Sequence, residues 1–351
     1  MEAEARAFLL SLLAAAGPAG FEGPAARVWR AQAAAYGLAV SHDIAGNSVA
    51  RLAGRGPKVA IVGHIDELGL MITHIDSDGF LWFRPIGGWD EQVLPGQRVR
   101  VLTRAGEVVG LIGRKPTHLM QGDERDKGVR ARDLWIDIGA RDGAEARARV
   151  RVGDPALLDL APVELPNNRL AGRAIDDRVG AFVALQTLRQ LQTQPPAADV
   201  YAIASAQEEI GFKGAATGGF ALAPAVAIAV DVTFATDVPS ADRRGEGEHA
   251  LGSGPALARG SAVNPVVFER LVAAAEAAGI AYTIEATPRS TGTDADALAR
   301  SGAGIACGVV SIPSRYMHTP NETVCLDDVD AAVRLIAAFV AAIEPDADFR
   351  P

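Results

Sequence analysis

Two adjacent carboxylates, Glu208 and Glu209, close an apolar, small-residue run over 200–206. That run predicts a buried strand over 199–205, and Gly211 marks the turn behind it. Neighbouring side chains on extended backbone point in different directions, so one Glu can hold a metal while the other faces substrate as a general base. His64 and Asp66 stand two apart at the end of a strand expected over 59–65. A metal-binding imidazole commonly needs a carboxylate nearby to fix its tautomer. Asp176 and Asp177 lie where a loop enters a helix over 179–191; one suits an N-cap while the other is placed to bridge two ions. Asp231 ends a strand over 225–230, and His318 follows a strand over 305–312. Each motif alone reads as an acidic turn, a cap or a satisfied strand-end histidine; the weight comes from their combination. His64, Asp176, Glu209, Asp231 and His318 supply nitrogen and oxygen ligands without thiolate, a set that suits Zn²⁺ or Co²⁺, with Mn²⁺ as a third choice. One shared carboxylate and two terminal ligands per ion make a two-metal site, which polarises a carbonyl and acidifies a bound water. Glu208 is placed to take the proton of that water.

The elements that must carry these residues alternate. Helix signals cover 2–15 and 24–35, and strands are expected at 48–52 and 59–65. From about 70 to 162 the pattern changes to short β-like runs at 70–75, 80–85, 98–103, 108–112, 134–138 and 150–152, separated by turn residues, with a polar loop over 121–127. This predicts a small β-barrel inserted into an α/β domain. Strands and helices alternate again to a final helix over 327–343, so the sheet is mostly parallel or mixed with helices on both faces. Ligands in such sheets bind outside the carboxyl ends of the strands, where the candidate residues fall.

Bulk properties narrow the class. A net charge of −9 argues against a nucleic-acid or anionic-membrane partner. Cys307 and Cys325 are too few for a disulfide framework and read as small core residues. No apolar run is long enough to span a bilayer, and Glu2 and Glu4 give the N-terminus the wrong charge for a signal peptide, so a cytoplasmic protein is expected.

Six stretches, Gly63-His64-Ile65-Asp66-Glu67, Ala174-Ile175-Asp176-Asp177-Arg178, Gln207-Glu208-Glu209-Ile210-Gly211, Asp231-Val232-Thr233, Gly292-Thr293-Asp294-Ala295 and Tyr316-Met317-His318-Thr319-Pro320, taken in order, resemble the M42 family of metallo-aminopeptidases. Leu94-Pro95-Gly96-Gln97-Arg98-Val99 in the insert is similar to it as well. The resemblance implies a catalytic di-metal domain over 1–69 and 163–351 and an inserted β-barrel dimerisation domain over 70–162. It implies Asp176 as the bridging ligand, Glu208 as general base, Asp66 orienting His64, and assembly from dimers into a homo-oligomer, often a dodecamer. The stretch with Thr293 and Asp294 is implied to approach the N-terminal residue of a peptide substrate. Asp296 stands where the family usually has Gly, and Ser253 where Lys is common. An extra carboxylate at 296 favours neutral-to-basic residues at P1, unless it only complements the start of a helix. Two other readings are a glycoside hydrolase using paired carboxylates, which leaves the histidines idle, and a catalytically inactive metal-binding scaffold, which leaves Glu208 idle.

Overall fold

The computed structural model describes residues 1–122, 127–239 and 241–351. The expected polar loop over 121–127 lies, between 123 and 126, outside the described residues. Two compact units result, one from Met1–Asp66, Pro162–Met317 and Asn321–Pro351, the other from Glu67–Ala161 and His318–Pro320.

The first unit is built on an 11-stranded mixed sheet. Its centre is four parallel strands in the order Asp199–Ser205, Lys58–His64, Val226–Phe234 and Ala306–Arg315. Antiparallel strands flank them, Ser48–Leu52 and Ala39–His42 on one side and Glu322–Cys325, Arg169–Gly172 and Val163–Leu165 on the other. The central strands are continuous apolar runs because both faces are covered. Val59 and Ile61 enter one core with the helices Ala3–Ala14, Gly23–Ala35, Ile175–Leu191, Pro265–Ala278 and Leu326–Ala341. Ala60 and Val62 enter a second core, with the helices Lys213–Leu222 and Ala295–Leu298. Ala227 and Ala229 repeat that alternation against Ile228 and Val230. Cys307 and Cys325 are buried free thiols.

The chain leaves Lys58–His64 to its neighbour Asp199–Ser205 on one side and then crosses to Val226–Phe234 on the other, which makes the carboxyl end of Lys58–His64 a switch point. There the pairing between Lys58–His64 and Val226–Phe234 stops at Val62 and Ala229, so the strands part beyond it. Pairing of Val226–Phe234 with Ala306–Arg315 continues to Phe234 and Ser314. Asp231 therefore sits within a strand, not after one as its sequence suggested.

The second unit closes six strands into a barrel, in the order Gly69–Ile75, Leu81–Ile86, Trp135–Asp137, Gly106–Gly113, Arg98–Thr103 and Pro155–Leu158. Its core takes alternate residues, such as Leu70 and Ile72, Leu81 and Phe83, Val99 and Val101. Two expectations fail here. A helix, Gly143–Arg149, occupies part of the insert, capped by Asp142, whose carboxylate accepts from the Glu145 N–H at 2.9 Å. The strand expected at 150–152 is the end of that helix and a turn, and the strand that closes the barrel is Pro155–Leu158.

Candidate metal centre

Lys58–His64 delivers His64 as its last residue, and the helix Ile175–Leu191 passes close behind it. That approach needs glycine twice: a Cβ at Gly63 would lie 2.3 Å from the Gly180 carbonyl carbon, and one at Gly180 would lie 2.2 Å from an Asp177 oxygen. Asp176 and Asp177 carry non-helical backbone angles, so the regular helix begins after them. Asp177 is the cap: Oδ1 accepts from Gly180 N–H at 3.0 Å, and Oδ2 accepts from His64 N–H at 3.0 Å. Asp176 is turned the other way, with Oδ1 3.0 Å from His64 Nε2, and its own N–H donates to Glu322 at 3.0 Å.

Two groups of three potential ligands result among the described residues, each with its donor atoms within 4.8 Å: His64 with Asp176 and Glu209, and His64 with Asp177 and Asp231. Of the expected ligands, His64, Asp176, Glu209 and Asp231 fall in these groups. Asp177 was not expected, and both its oxygens already hold backbone N–H groups. His318 belongs to the other unit, where Nδ1 lies 2.7 Å from the Gly88 carbonyl. An Nδ1–H bond to that carbonyl leaves the lone pair on Nε2, the tautomer suited to metal ligation. His64 Nδ1 likewise faces a carbonyl, that of Asp66, at 3.2 Å.

Burial of so many acids favours bound protons or a cation among them. Burial first, and then Asp176 beside it, raises Asp231 well above the usual carboxylate range; burial and Asp231 do the same to Asp177. Burial pushes Glu208 to about 10, opposed by His64 and reinforced by Asp231, Asp294 and Glu209. Asp294 rises to about 6, again through burial. Burial disfavours a charged His64, yet Glu208, Asp176 and Asp66 overcome it and hold the imidazole well above its ordinary range. With Nδ1–H spent on the Asp66 carbonyl, the Nε2 lone pair of a neutral His64 would face the Asp176 carboxylate. A proton or a metal ion must lie between them. The donor set therefore fits bound metal.

The Asp66 carboxylate does more than sit by His64, 3.5 Å from Nδ1. Its two oxygens accept the Glu208 and Glu209 N–H groups, each at 3.1 Å, and so set the turn that aims both glutamates. Glu208, 7% exposed, is the more buried of the pair, with Oε2 3.7 Å from His64 Nε2. The turn continues to unforeseen partners: Ala206 N–H donates to Asn47 Oδ1 at 3.0 Å and Gln207 N–H to Glu22 Oε1 at 3.2 Å. Asn47 in Ala45-Gly46-Asn47 reads as a turn residue and Glu22 as a helix-start acid, so nothing local marks either.

The residues expected near substrate are tied into their own turn. Thr293 is buried, and its Oγ1 accepts from Ala295 N–H at 3.2 Å. Asp294 accepts from the Ser205 hydroxyl. Asp296 is not a loose extra charge: it accepts from Thr291 N–H, Thr291 Oγ1 and Gly292 N–H, each at 3.0 Å.

A mixed α/β sheet that gathers a histidine–carboxylate cluster, in a chain that also forms a closed barrel, is the framework of a metal-dependent peptidase. Residues 46–335 match the family profile described as M42 glutamyl aminopeptidase, and the chain belongs to the M42 family. It is 37% identical over 317 residues to the lysyl aminopeptidase of Pyrococcus furiosus, covering 89% of each chain. The TET aminopeptidase of a marine sediment Thaumarchaeota archaeon superposes with a TM-score of 0.93 at 34% identity, covering 97% of both chains. The TET1 peptidase of Pyrococcus horikoshii, described as assembling into a tetrahedron or a large octahedral shell, gives a TM-score of 0.85 at 29% identity, covering 97% of this chain and 100% of that one. The protein is thus an aminopeptidase, a peptide hydrolase of a metal-dependent family. No helix among the described residues is long and apolar enough to cross a membrane.

Proposed function

We propose that the protein removes N-terminal residues from short peptides, with two divalent ions held by His64, Asp176, Glu209, Asp231 and His318. The observation that carries this reading is the clustering of His64 with Asp176 and the half-buried Glu209, and with the buried Asp177 and Asp231, with more acid than the lone imidazole neutralises. Bound metal supplies a polarised scissile carbonyl and an acidified water. Asp176 would be the residue shared between the ions, and Asp177 serves as the cap that sets its direction. Glu208 accepts the proton of the attacking water and passes it to the leaving amine; burial favours its neutral form in the metal-free site, and bound cations would offset that and leave it ionised for the task. Asp66 holds His64 and aims Glu208.

The turn with Thr293 and Asp294 borders the substrate's first residue in this account, and Asp296 shapes that turn. A neutral-to-basic P1 is supported by the likeness to the Pyrococcus furiosus lysyl aminopeptidase and by the net charge of −9. Residues 1–69 and 163–351 form the catalytic domain, and 70–162 the dimerisation domain, of a homo-oligomer built from dimers, a dodecamer by likeness to the TET peptidases. The setting is cytoplasmic.

Metal removal with a chelator, followed by readdition of Zn²⁺, Co²⁺ or Mn²⁺ and assay on leucyl and lysyl chromogenic amides, tests the reading. Activity must vanish and return; activity indifferent to chelation rejects it. Asp231→Ala and His318→Ala must each lower the metal content by elemental analysis.

A further inference from the structure

Glu22 precedes the helix Gly23–Ala35, where an acid ordinarily caps, yet its side chain makes no cap bond. Its Oε1 accepts instead from Gly20 N–H at 2.6 Å and from Gln207 N–H at 3.2 Å. The side chain is buried, with the residue only 6% exposed. Gln207 holds a left-handed φ of 58°, a sparsely populated conformation for a residue with a Cβ, immediately before Glu208. Four consecutive N–H groups, from Ala206 to Glu209, thus end on side chains rather than on backbone: Asn47, Glu22 and the two oxygens of Asp66. Asp66 fastens the two glutamates, and Glu22 fastens the residue at which the chain turns towards them.

The segment that carries Glu22 is itself secured from the site. Arg178, directly after Asp176 and Asp177, is fully buried and donates to the carbonyls of Leu12 at 2.7 Å, Ala15 at 2.5 Å and Ile65 at 3.3 Å. Arg173 adds a bond to the Ala14 carbonyl at 2.9 Å. The family profile begins at residue 46, so Glu22 stands outside the matched stretch.

We propose that Glu22 is a positioning residue for the Glu208 carboxylate, acting through the Gln207 N–H. This rests on Glu208 being the general base. Both bonds end on one oxygen, Oε1, so an acceptor at that reach is what matters, not a negative charge. A glutamine supplies the same oxygen, an aspartate stops one methylene short, and an alanine supplies nothing.

The test compares kcat, KM and bound metal for the metal-loaded wild type, Glu22→Ala, Glu22→Asp and Glu22→Gln on a chromogenic aminoacyl amide. A misplaced catalytic group costs up to about 100-fold, so kcat should fall about 10- to 100-fold in Glu22→Ala and Glu22→Asp. KM should stay within about twofold, since ground-state binding is untouched. Metal content should not change, and Glu22→Gln should recover most of the lost kcat. Wild-type kcat in Glu22→Asp, a Glu22→Gln as impaired as Glu22→Asp, or a loss confined to KM or metal content overturns the proposal. The Asp and Gln variants keep a polar group at the position and decide the matter if Glu22→Ala does not fold. Glu208→Gln assayed in parallel separates the two assignments. Turnover in that variant removes the general base itself, and the proposal with it. An inactive Glu208→Gln beside a fully active Glu22→Asp refutes the positioning role alone.

Discussion

Gly63→Ala puts the contact between the central strand and the helix behind it to a direct test. A Cβ at 63 would stand 2.3 Å from the Gly180 carbonyl carbon, 2.4 Å from Ala181 N and 2.7 Å from Gly180 O. All three are backbone atoms inside the helix, so no side-chain rotation relieves the clash; the helix must move back by about 1 Å to reach ordinary contact. Overpacking of this kind costs about 1–3 kcal/mol. The same retreat stretches the bond from His64 N–H to Asp177 Oδ2, now 3.0 Å, and a buried donor left unpaired costs about 1–3 kcal/mol. Together the loss is about 2–6 kcal/mol, which for a unit of this size lowers the melting temperature by roughly 10 °C. The movement also carries Asp176 away from His64 Nε2, so metal affinity should fall with stability. Calorimetry and metal titration of the variant measure both. An unchanged melting temperature and metal affinity would refute the claim that helix and strand meet without slack.

Two further outcomes are expected. In the metal-free protein the acids of the cluster, with Glu208 near 10 and Asp294 near 6, bind protons that the unfolded chain releases from about pH 4 upward. His64, also held above its ordinary range, acts in the same direction. The stability these groups contribute is full below about pH 4 and is lost as pH rises towards 10, so the metal-free melting temperature should fall between about pH 5 and 9 while bound metal flattens the slope; thermal scans giving a rising metal-free curve would contradict this. Asp296→Gly removes an acceptor of three turn bonds and not a free charge. It should lower kcat/KM for leucyl and lysyl amides by a similar factor, and a selective loss on the lysyl amide would show that its charge reads the substrate.

Much of the framework around the candidate site is legible because its elements have strong local signals. The strand ending before Glu208 is legible in its apolar run, and the structure has it at Asp199–Ser205. Asp231 was read as ending a strand because a carboxylate interrupts the apolar run. It is buried inside the strand because one neighbour has already parted while the other stays paired, a fact of sheet topology that no local window contains. The helix Gly143–Arg149 is too short for its 3.6-residue period to emerge, although Asp142 and Glu145 carry a capping signal. Pro155 reads as a breaker and is instead the first residue of a strand, where proline is tolerated. Glu22 and Asn47 act on a turn 185 and 159 residues away in the chain, distances at which spacing carries no information.

The central claim is that Glu208 is the base and not a ligand. The most direct measurement is single-variant kinetics of Glu208→Gln with metal content determined on the same sample. The account requires wild-type metal stoichiometry, because the ligands are other residues, and a kcat lowered by about 10²- to 10⁴-fold, the usual cost of losing a general base. Near-normal kcat in the metal-replete variant, or loss of metal together with activity, would contradict it.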